Sequence, residues 1–189
     1  MLKRYFDLSD DLYVPGRWEL GDPQDEGGRE VWVDQFVLGV PVAVPTVLRI
    51  PICRPGTRLD FSFLVGGPVP VVGQKIADVL LALAPDDVQL IPAVVESQSE
   101  PFYVVNVLRL MSCIDEARTD EVAKWTVDDL VPEKVGQFRN VRGMRIDPAR
   151  TADARIFRPW GWAVAIVVAE ELKSAMERVG VTGARFIGA

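Results

Sequence analysis

Residues 74–110 read QKIADVLLALAPDDVQLIPAVVESQSEPFYVVNVLRL, and this stretch decides the fold class. Its first part, residues 74–84, carries apolar side chains at the spacing that gives a helix one buried face. Those side chains are Ile76, Val79, Leu80 and Leu83. Pro85 then ends the helix. Two apolar segments of strand length follow, residues 88–95 and 102–110, and the polar turn between them predicts an antiparallel hairpin.

A second amphipathic helix is predicted over residues 169–179. Glu170 and Glu171 fall in its first turn and Arg178 in its last, an arrangement that the helix dipole favours. Gly180 is a natural stop, because glycine readily adopts the left-handed conformation that follows many helices. The apolar residues that recur at helical spacing are Val168, Leu172, Ala175, Met176 and Val179.

Several other apolar segments have strand length. Residues 58–63 alternate apolar and polar side chains, which predicts a strand with one buried face. Residues 31–38 are a further strand candidate. Residues 40–52 are also apolar but contain three prolines, which cannot donate to a strand ladder and belong at sheet edges or bulges. These are Pro41, Pro45 and Pro51.

The expected fold is a single α+β domain over residues 1–189, with mostly antiparallel strands and the two main amphipathic helices. A chain of this length can bury one sizeable core. Residues 10–30 are rich in turn formers and are predicted to be a surface loop. Asn106 and Arg109, on the second hairpin strand, are predicted to face solvent, with a ligand-contact role as the alternative. Further strands are predicted at residues 156–158, 163–168 and 184–187.

The composition removes most familiar catalytic chemistry. The chain has no histidine, which excludes Ser-His and Cys-His nucleophile pairs and histidine-bearing zinc sites. The glycine pairs at 27–28 and 66–67 lack the spacing of phosphate-binding loops. Four pairs of adjacent acids lack the spacing of a calcium loop, and neighbours in sequence point apart on strands and helices. The pairs are Asp86-Asp87, Asp115-Glu116, Asp120-Glu121 and Asp128-Asp129. The sequence therefore predicts no catalytic residue, no metal ligand and no cofactor.

The sequence also predicts a cytoplasmic protein that makes no membrane contact. Basic residues near the start are followed by Asp10 and Asp11 before an apolar export segment can form. The longest apolar run, residues 163–169, is far shorter than the roughly 20 residues that span a bilayer. Cys53 and Cys113 are accordingly predicted to be reduced thiols, with Cys113 a small buried residue.

Charge is unevenly placed along the chain, whose net charge is −6. Residues 86–121 are strongly acidic, whereas residues 139–158 form an arginine stripe flanked by Phe138, Phe157 and Trp160. Arginine and aromatic side chains together can bind nucleic acid. Nucleic acid is nevertheless the less favoured partner, because the overall acidity repels a polyanion and these arginines can pair with the chain's own carboxylates. The stripe consists of Arg139, Arg142, Arg145, Arg150, Arg155 and Arg158.

Short motifs follow one another in a fixed order along most of the chain. They are KRYF at 3–6, LDFSF at 59–63, APDDVQLIP at 84–92, YVVNV at 103–107, CID at 113–115, IFR at 156–158 and GVTGARF at 180–186. In this order the chain resembles immunity protein family eleven of bacterial polymorphic toxin systems, formerly a domain of unknown function and abundant in myxobacteria. The resemblance implies a cytoplasmic protein, encoded beside a toxin, that binds and neutralises the toxin's C-terminal domain and has no catalytic residues. It names neither the toxin, for which a metal-dependent nuclease is one candidate, nor the oligomeric state.

The partner-facing surface is predicted on residues 115–129, where Trp125 sits among six acids. This is the arrangement of an aromatic anchor ringed by charges. Acidic side chains can also occupy phosphate positions in the basic groove of a nucleic-acid-cleaving toxin. The alternative is a solvated connection with Trp125 in the core. The acids are Asp115, Glu116, Asp120, Glu121, Asp128 and Asp129.

Three other classes of function stay open at this point. The arginine stripe at 139–158 could serve a nucleic-acid-binding protein or a scaffolding module, and the carboxylates could serve a hydrolase. Gene context separates these classes, because a toxin gene directly upstream favours immunity whereas a metabolic operon favours an enzyme.

Overall fold

The protein has an α+β fold, as the sequence predicts. The computed structural model describes residues 3–44 and 47–189, and Pro45 lies outside the described residues. Helices α1 (Gln74–Leu83) and α2 (Glu170–Arg178) each begin and end within one residue of the predicted bounds. Gly180 follows α2 with a φ of +63°, which confirms its role as the stop.

Fourteen strands accompany the helices in the described part of the chain. In chain order they are β1 (Tyr5–Asp10), β2 (Glu19–Leu20), β3 (Leu48–Ile50), β4 (Ile52–Arg54), β5 (Phe61–Leu64), β6 (Gly67–Gly73), β7 (Val88–Val95), β8 (Phe102–Val107), β9 (Leu110–Met111), β10 (Glu121–Lys124), β11 (Phe138–Arg142), β12 (Ile156–Pro159), β13 (Val167–Ala169) and β14 (Ala184–Gly188). Most pair antiparallel, including the predicted hairpin of β7 and β8. The parallel pairs are β2 with β5, β3 with β7 and β9 with β12.

A seven-stranded sheet runs in the order β3, β7, β8, β6, β5, β2 and β4. Its two outermost strands, β3 and β4, are separated in sequence only by Pro51. Just after β2, the backbone of Gln24 exchanges two hydrogen bonds with Arg49 of β3, at 2.7 and 2.8 Å, and the Gly21 N–H donates to the Pro51 carbonyl at 2.9 Å. The sheet therefore closes on itself with Pro51 at the seam, and β3 has backbone partners on both of its edges.

The inner face of the closed sheet holds the first apolar core, and Trp18 is its largest side chain. Trp18 is 1% exposed, and its Nε1 donates to the Ser62 hydroxyl at 2.9 Å. The surface loop predicted over residues 10–30 is therefore wrong at its centre, where Trp18 and Leu20 are buried. The error has a physical cause. Two large apolar residues among many turn formers do not raise the average hydropathy of the segment, although both are fully buried.

The strand predicted over residues 31–38 is wrong. This segment forms the 3-10 helix Val33–Val37, and Phe36 is its buried residue. Phe36 packs in the core inside the closed sheet, while Trp32 and Leu38 are 65% and 50% exposed. One side chain anchors the whole segment, whereas a half-buried strand would bury every second residue.

The strand β5 is covered on both faces, so the half-buried strand predicted over residues 58–63 is also wrong. Phe61 packs on the outer face against the helices, and Ser62 faces the inside, where it accepts the hydrogen bond from Trp18. Asp60 is also buried, and it accepts hydrogen bonds from the backbone N–H and the hydroxyl of Thr182. Two of the three polar residues of the alternating pattern, Asp60 and Ser62, are therefore buried and hydrogen-bonded, whereas Arg58 is exposed.

A five-stranded sheet in the order β14, β1, β13, β12 and β9 forms a second layer. Here β12 and β14 match predicted strands, and the strand predicted over residues 163–168 is shortened to β13. Both helices pack between this sheet and the outer face of the closed sheet. Their buried side chains, among them Leu80 and Leu172, share one core with Leu8 of β1 and Val105 of β8. The N-terminal strand β1 thus lies inside the sheet, between β13 and β14.

The other face of the five-stranded sheet carries the third core. Tyr5 and Phe157 of the sheet pack there against Cys113, Phe138 and neighbouring apolar residues. Strands β10 and β11 pair into a two-stranded ribbon, and Phe138 of β11 attaches the ribbon to this core. Cys113 is 1% exposed, as predicted, and burial raises the pKa of its thiol to about 12. Cys53 is exposed, and both cysteines are free thiols.

Asn106 of β8 is fully buried, which corrects the prediction that it faces solvent. Its amide donates to the Val40 carbonyl at 2.8 Å and to Gln89 Oε1 at 3.0 Å. Gln89 in turn holds the backbone of Val42, so this pair of amides fixes residues 40–42 against the closed sheet. Arg109 remains partly exposed and bonds to Asp153 at 2.8 Å.

Candidate partner-binding site

The predicted partner-facing segment, residues 115–129, leaves the third core and runs along the ribbon. Its start is fixed by backbone hydrogen bonds, in which Asp115 N–H donates to the Arg145 carbonyl at 2.8 Å and Asp147 N–H to the Cys113 carbonyl at 2.8 Å. The buried Thr119 hydroxyl closes the turn by donating to the Asp115 carbonyl at 2.8 Å. Beyond this turn, β10 carries the segment to the 3-10 helix Val127–Asp129.

Four of the six predicted acids have polar partners within the protein. Glu116 pairs with Lys124 at 2.7 Å and Asp129 with Arg139 at 2.8 Å. Asp115 lies 3.9 Å from Arg118, and Glu121 accepts from Asn140 at 3.2 Å. Asp120 and Asp128 are exposed and have no ion pair among the described residues. The negative field of this surface therefore comes mainly from those two and from Glu121.

Asp120 packs directly against Gly143, which follows β11. Gly143 has a φ of +59°, and a Cβ atom at this position would collide with the Asp120 carboxylate. Glycine is thus required at residue 143 for two reasons, its backbone conformation and the close approach of the carboxylate.

Asp129 organises the end of the segment. One of its carboxylate oxygens accepts from the Thr126 N–H at 2.8 Å and from the Thr126 hydroxyl at 2.9 Å. The other oxygen accepts from Arg139. These hydrogen bonds, the one from the Thr126 backbone above all, hold the pKa of Asp129 below its usual range. Asp129 is therefore a carboxylate that holds the turn, whereas Asp128 beside it is free to face a partner.

Trp125 is half-buried and belongs to none of the three apolar cores. Its backbone exchanges hydrogen bonds with Gln137 and Gly136, both at 2.9 Å. The Lys134 ammonium lies 5.3 Å and the Arg139 guanidinium 5.9 Å from its ring centroid, both within cation–π range. The ring lines the rim of a groove of about 460 Å³ between the ribbon and the closed sheet. Further lining residues are Val37, Val69, Phe138, Trp162 and Val164.

Sequence reasoning missed two exposed apolar residues at the end of this segment. Val127 is 75% and Leu130 87% exposed. Leu130 also has a φ of +57° and a ψ of 29°, a left-handed conformation that costs an L-residue about 1–2 kcal/mol. The signal that could have located the turn is the capping box formed by Thr126 and Asp129, a threonine followed three residues later by an acid.

The arginines of the predicted stripe are spread over several sites, and all except the exposed Arg142 have partners within the described residues. Arg139 bonds to Asp129, Arg150 to Asp147 at 3.2 Å and Arg155 to Glu171 at 3.2 Å. Arg145 donates to the Gly188 carbonyl at 3.0 Å. A continuous basic surface for nucleic acid is therefore not supported.

Arg158, the last member of the stripe, is fully buried. It donates to the carbonyls of Ala163 at 2.6 Å and Pro68 at 2.8 Å, and burial lowers the pKa of its guanidinium to about 10. Its Nε has no hydrogen-bond partner. Arg158 joins the two sheets beneath the groove that Trp125 borders, so its role is structural.

The adjacent acids Asp86 and Asp87 differ in their exposure and contacts. Asp87 is buried and accepts from the backbone N–H of Arg155 at 2.7 Å, while Asp86 is exposed. Within residues 3–44 and 47–189, no cluster of three or more acids, cysteines or histidines has metal-binding geometry. No helix in the same residues is long and apolar enough to cross a membrane.

A family model for immunity proteins, Imm11, matches residues 59–189. The matched residues include both helices, the ribbon and the candidate site, and they begin just before β5. A comparison with curated proteins finds no match. Because the family model covers well over half of the chain, the resemblance expected from the sequence motifs is confirmed at the level of the immunity family. The chain belongs to the Imm11 immunity protein family.

Proposed function

We propose that this protein protects its cell by binding the C-terminal domain of a cognate toxin from a polymorphic toxin system of interbacterial competition. On this proposal it acts in the cytoplasm, stoichiometrically and without catalysis. The observation that carries the proposal is membership of an immunity family. The lack of histidine and of a metal-binding cluster in the described residues is consistent with a protein that works by binding alone.

The whole of residues 1–189 is proposed to act as one immunity-type domain. Residues before the family match contribute to both sheets, because β1 pairs with β13 and β14, and β2 with β5. Trp18 lies in the core of the closed sheet together with Phe102. The matched part of the chain would lose these contacts if the N-terminal segment were removed.

The acidic surface on residues 115–129 is proposed to face the toxin. It comprises Asp115, Glu116, Asp120, Glu121, Asp128 and Asp129 with Trp125. The ribbon presents it away from the helices, and the free carboxylates of Asp120 and Asp128 are available to a basic partner. Exposed charges of this kind mainly accelerate association by steering the encounter. An acidic surface fits a toxin with a basic active-site groove, and a nuclease is one such class.

The proposed function is tested by producing the C-terminal domain of the toxin encoded beside this gene, with and without the protein, in a bacterial host. The toxin domain alone should arrest growth, and co-production should restore it. The two proteins should also co-purify at a fixed stoichiometry. Growth arrest that persists with full production of the folded protein would overturn the proposed function.

The proposed surface is tested by reversing Asp120, Glu121 and Asp128 to lysine. This triple variant should slow association with the toxin domain at least tenfold at low salt and reduce its salt dependence, with little change in dissociation, because rim charges act through steering. Asp129 is left intact because it holds the Thr126 turn.

The matched control reverses three exposed acids far from the ribbon in sequence, Glu26, Asp78 and Asp86, and so changes the net charge equally. It should leave the association rate nearly unchanged. Trp125→Ala, measured in parallel, should weaken binding by about 2 kcal/mol if the ring contacts the toxin. Equal association rates for both triple variants would show that net charge, and not this surface, steers the encounter.

A further inference from the structure

Leu130 combines two features that stability does not explain. Its backbone is left-handed, and its side chain is 87% exposed. Two other non-glycine residues in the described chain share a positive φ, Ser97 and Ala152, and both have small side chains. Glycine would adopt this conformation without strain, and a polar residue would be better solvated. Strained backbone conformations are concentrated at catalytic and ligand-binding sites, so a strained and exposed apolar residue points to a binding site.

The turn that carries Leu130 is held in place on both sides. Thr126 and Asp129 form the capping box, and Asp129 is tied to Arg139 on β11. On the return side, Lys134 N–H donates to the Val131 carbonyl at 3.0 Å and Gln137 N–H to the Lys134 carbonyl at 2.9 Å. The apolar side chains therefore project from an ordered turn, and little conformational entropy is lost when they are covered.

Val127 and Leu130 together form an apolar tip. Val127 begins the 3-10 turn and Leu130 ends it, so both side chains project from the same turn. Val135, on the return side, is 42% exposed. Carboxylates flank the tip, with the exposed Asp128 between the two apolar residues and the exposed Glu133 three residues after Leu130.

We propose that the apolar tip of Val127 and Leu130 inserts into an apolar pocket of the toxin whose rim carries lysine or arginine. The partner chemistry follows from charge complementarity, since an apolar pocket without basic groups would leave the flanking carboxylates unpaired on binding. This inference rests on the proposed function and deepens it. In this assignment the tip supplies the buried anchor, the acids supply the steering, and Trp125 supports the base of the turn between two cations.

The test uses Leu130→Gly, which removes the side chain and relieves the backbone strain in one change. The variant should unfold at the same temperature as the wild type or a higher one, yet bind the catalytically inactive toxin domain at least tenfold more weakly. Most of the loss should lie in a faster dissociation, because an anchor in a pocket acts after the encounter. Leu130→Met, which keeps an apolar side chain, should retain binding within about threefold.

The matched control is Leu12→Gly, a leucine that is 65% exposed in a turn far from the tip in sequence. It should leave the dissociation constant unchanged. Wild-type-like binding by Leu130→Gly would overturn the tip assignment while leaving the proposed function intact. A large fall in melting temperature for Leu130→Gly would also overturn it, because Leu130 would then have a structural role. Failure of the wild type to bind the toxin domain would instead overturn the proposed function, and the tip assignment with it.

Discussion

Replacing Asp7 with asparagine should make the protein more stable at neutral pH. Asp7 lies on β1 in the interior of the five-stranded sheet, where its backbone neighbours are Val167 and Ile187. Burial raises the pKa of its carboxyl from 3.8 to about 6, and no hydrogen bond or charged neighbour offsets the effect. The folded protein thus holds a carboxylate at neutral pH that the unfolded chain would solvate better.

The size of the effect follows from the pKa. A rise of roughly two units corresponds to about 3 kcal/mol of free energy of unfolding. Because burial favours the protonated carboxyl, the folded protein is more stable by this amount below about pH 4 than at neutral pH. The extra stability is lost as the pH rises to 6. Asparagine has nearly the same shape and carries no charge at any pH. Since its amide is also desolvated, Asp7→Asn should gain about 1–3 kcal/mol at pH 7.5 and little at pH 4.

Urea unfolding of both proteins at pH 4, 5, 6 and 7.5 measures this difference. The matched control is Asp10→Asn on the same strand, where the carboxylate bonds to Arg17 at 2.7 Å. That variant loses a partner and should gain no stability at pH 7.5. Hydrogen bonds lower the pKa of Asp25, Asp129 and Asp153, so these carboxyls change the stability of the protein at lower pH than Asp7 does. A stability difference between Asp7→Asn and wild type that is constant from pH 4 to 7.5 would refute the reasoning.

Two further predictions concern stability. Leu80→Ala and Leu172→Ala each remove a fully buried side chain from the core shared by the helices. Each should lower the free energy of unfolding by about 2–5 kcal/mol, which calorimetry would record as a fall in melting temperature of about 5–15 °C. An unchanged midpoint would mean that the buried helix face is wrongly assigned. Gly143→Ala should cost about 1–3 kcal/mol through its positive φ and the collision with Asp120, whereas Gly136→Ala, with positive φ but open space around it, should cost less in the same measurement.

The two helices were predictable because each is decided by its own residues. Leu80 and Leu172 lie at the centres of apolar faces with helical spacing, and local stop signals follow both. The position of Trp18 was not predictable in this way, because its burial depends on a sheet that closes through residues distant in sequence. The strand predicted around Phe36 was wrong for a related reason. One side chain fills the core there, and an apolar run without periodicity does not specify strand or helix.

The candidate site was predictable in its charge but not in its shape. The density of acids at 115–129 is a property of the sequence. The hydrogen bonds that occupy the Asp129 carboxylate, and so make it unavailable to a partner, depend on Thr126 and on Arg139 across the ribbon. The left-handed backbone of Leu130 leaves no mark in the sequence, since leucine is a poor residue for that conformation. The position of Asn106 was misjudged because its partners, Val40 and Gln89, come from two separate segments.

Because β1 pairs with β14, the protein can finish folding only after β14 has been synthesised. These strands lie at opposite ends of the chain, and the sheet position of β1 is complete only when β14 has left the ribosome. At a synthesis rate of about 5–20 residues per second, roughly 10–40 s separate the two strands. Until then the growing chain has an unpaired strand that a chaperone or protease can recognise. On the function proposed above, protection lags behind translation by this interval, so a reserve of completed molecules has to exist before the toxin does.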